Sequence, residues 1–122
     1  MAIHHGLRAA GALFPAVVVA GAIILAGPAP GRADESPEFV IIIKDHRFEP
    51  AELTVPAGQR VKLVIDNRDG TPEEFESLDL RREKIVPGGA KASVWIGPLP
   101  PGEYGFFGEF NQKSAQGKLI AK

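Results

Sequence analysis

Cysteine is missing altogether from this chain of 122 residues. Its absence excludes disulfides, thiolate metal sites, iron–sulfur clusters, a lipid anchor on cysteine and a cysteine nucleophile. A surplus of one charge is missing too, since 14 Lys and Arg stand against 15 Asp and Glu. Binding by phosphate neutralisation needs a cationic surface, so no nucleic-acid partner is expected. The single Met is the initiator, and only three His are present. No Gly-x-Ser-x-Gly elbow occurs, and Pro87-Gly88-Gly89 is a turn with no helix pattern after it, so neither hydrolase chemistry nor a phosphate loop is expected. With 44% hydrophobic and 24% charged residues, the chain has room for one globular domain and no more.

The N-terminal 33 residues stand apart. Arg8 precedes an uncharged stretch over 9–31 whose most apolar part is 16–26. Pro28 and Pro30 interrupt it, and Gly31-Arg32-Ala33 offers small residues ahead of Asp34 and Glu35. This reads as a secretory signal peptide over 1–33, cleaved after Ala33, with the domain over 34–122. The alternative is an uncleaved signal anchor over 9–26, weakened by Gly11, Pro15 and Gly21. Cleavage would remove His4, His5, Arg8 and Arg32, leaving a mildly acidic exported domain with His46 as its one imidazole.

From Glu38 onward the pattern is one of short β-rich runs punctuated by Pro, Gly, Asp and Asn, with no sustained helical period. The β-branched run over 39–44 predicts a strand buried on much of both faces. Leu53 and Val55 alternate with Thr54. Over 60–67, Val61, Leu63 and Ile65 face the core and Lys62 and Asp66 face water. A loop over 67–72 precedes two short strands or one bent strand over 75–86, and 91–96 presents Val94 and Ile96 opposite Trp95. The last strands lie over 104–107 and 118–121, joined by a polar loop. Seven or eight strands at this spacing imply an all-β Greek-key sandwich, because one open sheet would leave an apolar face wet.

The run Phe48-Glu49-Pro50-Ala51-Glu52-Leu53-Thr54-Val55-Pro56-Ala57-Gly58, followed by Val61, Leu63, Ile65 and Asn67, resembles the first half of a cupredoxin. Pro101-Gly102-Glu103-Tyr104-Gly105-Phe106 and Gly117-Lys118-Leu119-Ile120 resemble the second half, so the likeness covers 38–122. It implies a cupredoxin-like Greek-key β-sandwich or barrel. It does not imply blue copper, which needs two His and a Cys thiolate. Where the family's first His stands, this chain reads Glu73-Glu74-Phe75-Glu76, with Glu74 at the ligand position. The family's Cys is replaced within Phe107-Gly108-Glu109, and its second His and Met within Asn111-Gln112-Lys113-Ser114.

Glu74 and Glu76 lie two apart on a predicted strand and project from one face, which points to a hard metal such as iron, or an oxygen-rich copper site. His46, in the loop before Phe48, and Glu109, beside the lost Cys, complete the candidate set of His46, Glu74, Glu76 and Glu109; Asp45, Asp79 and Glu83 are weaker. The same segments resemble the cupredoxin-like domains of EfeO-type proteins and the small exported companions of oxidase-dependent ferrous-iron permeases. That likeness implies a periplasmic protein binding iron or copper, with an iron permease or a periplasmic metal-binding protein as partner and ferrous-iron oxidation as an accessory role. The membrane is then met only through the partner or an uncleaved signal anchor. The competing reading is a metal-free β-sandwich acting as a protein-interaction subunit.

Overall fold

The computed structural model describes residues 6, 11–18, 20–21 and 35–122. Two compact units divide the chain, Met1–Pro30 and Gly31–Lys122. In the first, the described residues carry no regular element, and Leu13, Phe14, Val17 and Val18 are exposed. The expected cleavage site at Ala33 lies outside the described residues. No helix among the described residues is long and apolar enough to cross a membrane.

The second unit is a sandwich of nine strands: β1 Glu38–Lys44, β2 Arg47–Glu49, β3 Glu52–Val55, β4 Val61–Asn67, β5 Glu73–Ser77, β6 Arg82–Val86, β7 Lys91–Ile96, β8 Gly102–Gly108 and β9 Gln116–Ala121. One sheet runs β2-β1-β4-β7 and the other β3-β9-β8-β5-β6. The β1–β4 and β3–β9 pairs are parallel and the rest antiparallel. The 75–86 region is two strands, which gives the expected eight, and Arg47–Glu49, a strand of its own, is the ninth. The signal for β2 is a two-residue turn: Asp45 and His46 both have positive φ, 52° and 56°, the backbone of a tight hairpin that matches strand twist. Asp69 fixes this turn by accepting hydrogen bonds from Asp45 N (2.8 Å) and His46 N (2.9 Å).

Alternation sets the core. Ile41 and Ile43 of β1 are buried while Val40 is exposed, so β1 buries one face and not both. Val61, Leu63 and Ile65 of β4, with Val94 and Ile96 of β7, bury as the alternation predicts. Phe48 from one sheet meets Phe75 and Phe106 from the other, edge to ring at centroid distances of 6.2 and 5.0 Å, and ties the two layers together. The loop between β4 and β5 is organised by Asn67, fully buried, which donates to Thr71 O and Val86 O and accepts from Asp69 N. That buried amide sets where β5 begins, and β5 carries the glutamates.

Candidate metal centre

The alternation of β5 sends its glutamates to opposite sides. Phe75 is fully buried, so Glu73 and Ser77 point inward with it, while Glu74 and Glu76 project from the outer face of the five-stranded sheet. Register then gathers more acid there. Glu76 stands directly opposite Glu83 of β6 and beside Phe107 of β8, and Glu74 stands opposite Ile85. Carboxylate oxygens of Glu74, Glu76 and Glu83 all lie within 4.8 Å of one another. Glu109, in the short 3-10 turn Glu109–Asn111 that follows β8, brings its carboxyl into hydrogen-bonding reach of Glu76.

Crowded like charges directly across a sheet are unfavourable. The pKa of Glu74 is raised, first by loss of hydration at its half-buried site and then by the charges of Glu83 and Glu109. That of Glu76 is raised first by its shared hydrogen bond with Glu109, then by lost hydration and by the charges of Glu109, Glu74 and Glu83. The ion pairs of the described residues lie elsewhere: His46–Asp69, Lys62–Glu38, Arg68–Asp66, and Lys118 with Glu52 and Glu103. The cluster therefore holds several anionic groups with no side-chain cation paired to them, an arrangement suited to a hard cation with oxygen ligands.

Of the sequence candidates, Glu74, Glu76 and Glu109 come together and His46 does not join them. Its side chain is 47% exposed, with Nδ1 3.6 Å from Asp69 Oδ2, and its backbone oxygen accepts from Ser114 Oγ. Asp45 sits in the same turn, and Asp79 accepts from Gly105 N. Glu83, the weaker candidate, is a full member of the cluster. Its signal was available only through register, since nothing local pairs residue 83 with residue 76.

Glu73 was not singled out by sequence, although Phe75 two residues on fixes its parity. It is 1% exposed, and its carboxylate accepts from Glu74 N (3.0 Å), Phe110 N (2.9 Å) and Asn111 Nδ2 (2.6 Å). Gly108 leaves room for it: an added Cβ there would lie 2.7 Å from Glu73 Cδ and 2.7 Å from Ala115 Cβ.

A sequence model of the cupredoxin-like domain matches residues 16–121. The chain belongs to the cupredoxin-like family. An uncharacterized protein of Rickettsia prowazekii (strain Madrid E) is 48% identical over 83 residues, 68% of this chain; the match spans 66% of that protein, just under two thirds of its length. The apo form of a copper binding protein superposes with a TM-score of 0.61 at 22% identity, covering 70% of this chain and 86% of that one. Auracyanin A, a blue copper protein of Chloroflexus aurantiacus, gives 0.61 at 18% identity, covering 70% and 98%. At such identities these likenesses speak to the fold.

This cupredoxin-like domain cannot hold a type 1 copper ion. It has no thiolate, and the buried carboxylate of Glu73, next to Glu74, is taken up by Phe110 N and Asn111 Nδ2. Among the described residues no buried side-chain nitrogen or oxygen lacks a hydrogen-bond partner, so the interior presents no donor waiting for a metal.

Proposed function

We propose that this cupredoxin-like domain is an exported binder of a hard metal ion, iron foremost, which it grips through Glu74, Glu76 and Glu83 with Glu109 alongside. The observation that carries the reading is the convergence of three carboxylates within 4.8 Å on an open sheet face with no paired side-chain cation. Anionic oxygen ligands favour hard cations and stabilise the higher charge of ferric iron, so the same face supports carriage and would ease the loss of one electron from bound ferrous iron to an external oxidant such as dioxygen. Resemblance to EfeO-type domains and to the exported companions of ferrous-iron permeases supports iron as the cargo, the periplasm as its location, and a permease or a second metal-binding protein as its recipient. Copper at this oxygen-rich face is the secondary cargo of the same reading.

Titration of Fe(II) under anaerobic conditions, Mn(II) and Cu(II) into the full chain tests it. Micromolar or tighter binding with a rise in Tm is expected, lost in Glu76→Gln/Glu83→Gln. Absence of any binding or thermal response to all three ions sinks the reading. The second reading, a metal-free interaction subunit, has its own observation: Ile85 and Phe110 stand 56% and 50% exposed beside Glu74 and Glu109. It predicts instead that a partner is retained equally by metal-loaded and chelated protein.

A further inference from the structure

Glu73 is among the largest fully buried side chains of the domain and is not one of the three converging carboxylates. Two of its three hydrogen bonds join distant segments, β5 on one side and the turn after β8 on the other, across 37 and 38 residues of sequence, and the third is accepted from Glu74 N of its own strand. Around the carboxylate the loop closes on itself: Ala115 N donates to Asn111 O (2.8 Å) and Gly108 N to Ala115 O (2.9 Å). A side chain of any size at 108 would meet both the Glu73 carboxyl carbon and Ala115.

We propose that Glu73 is a buried carboxylate clasp that fixes the Glu109–Asn111 turn to β5 without help from any ion. Charge makes this workable. A carboxylate accepts several N–H bonds, each stronger than its neutral counterpart, and can satisfy the donors it gathers in the dry interior. The smallest residue at 108 and a short side chain at 115 supply the volume. Glu73 is thereby a positioning residue: Phe110 N is held by its carboxylate, so Glu109, the preceding residue, is presented to Glu76. That consequence for metal binding rests on the function proposed above; the clasp does not.

Amide hydrogen exchange followed by NMR on the full chain tests the clasp. The Phe110 amide is expected to be protected equally with and without EDTA. In Glu73→Gln, which turns one acceptor into a donor, its exchange accelerates by about tenfold or more while the amides of Leu63 and Ile65 keep their rates. An unprotected Phe110 amide in the wild type, protection that vanishes on chelation, or indifference to Glu73→Gln would each overturn the clasp. The chelation comparison decides even if Glu73→Gln does not fold, and Asn111→Ala, which removes one donor, is a milder second variant expected to speed the same amide. Mn(II) affinity reads the positioning role. Glu73→Gln and Glu109→Gln should weaken it alike and the double variant no further, whereas additive losses would refute positioning. If Mn(II) fails to bind the wild type, the metal reading falls and the exchange result alone judges the clasp.

Discussion

Glu76 has a carboxylate opposite it on β6 and another at the end of β8, and the physics of that crowding is directly measurable. A carboxyl whose pKa is raised in the fold binds its proton more tightly there than in the unfolded chain. The contribution of these two groups to the stability of the metal-free domain is therefore greatest below the usual glutamate range, and it is lost as pH rises through the window from that range to the raised values of Glu74 and Glu76. Glu76→Gln should raise the Tm of the metal-free protein slightly at neutral pH, flatten this pH dependence, and abolish stabilisation by metal. A differential scanning calorimetry series over pH, with and without Mn(II), checks all three. Asp69 runs the other way. Its pKa is lowered, foremost by the hydrogen bond from His46 N, so its contribution is present above the ordinary aspartate range and is lost as pH falls through its folded value. Asp69→Ala, which strands two turn amides, should cost about 1–3 kcal/mol in urea unfolding at neutral pH and much less at low pH.

Among the elements, the β1–β2 hairpin is the most exposed to a local conflict. Asp45 and His46 both sit in the left-handed region, where a residue with a Cβ is strained and glycine is not. His46→Gly should therefore be neutral or stabilising by about 0.5–1 kcal/mol in urea unfolding. It should also leave metal affinity unchanged, because the imidazole stands with Asp69 and not with the carboxylates. A loss of affinity in that variant would return His46 to the ligand set. The hairpin also shows why β2 was hard to read: three residues carry too little periodicity, and the strand exists because Asp69, from another loop, secures the turn.

For the whole molecule, the testable matter is export. If the N-terminal segment is a cleaved signal, the protein recovered from the extracytoplasmic fraction begins at Asp34; intact-mass spectrometry checks this, and an intact N-terminus on a membrane-bound protein would favour the anchor. The two sheets themselves need no metal to stay together. Phe48, Phe75 and Phe106 bridge them, and Glu73 ties the turn after β8 to β5. Chelation is accordingly expected to remove only the increment that bound metal adds and not the fold.

The sandwich itself was legible in the sequence because two-residue alternation is a local property: Val61, Leu63 and Ile65 declare a buried face wherever the strand ends up. So was the loss of blue copper, a matter of composition alone. The gathering of Glu74 and Glu76 followed from the same period. Sequence could not say that Glu83 joins them, that His46 stays away, or that Glu73 turns inward to clasp a turn 37 residues later. Those facts depend on which strands pair, in what register, and on how the loops are tied. Register and loop closure are fixed by contacts between segments far apart in the chain, and so the tertiary structure alone decided them.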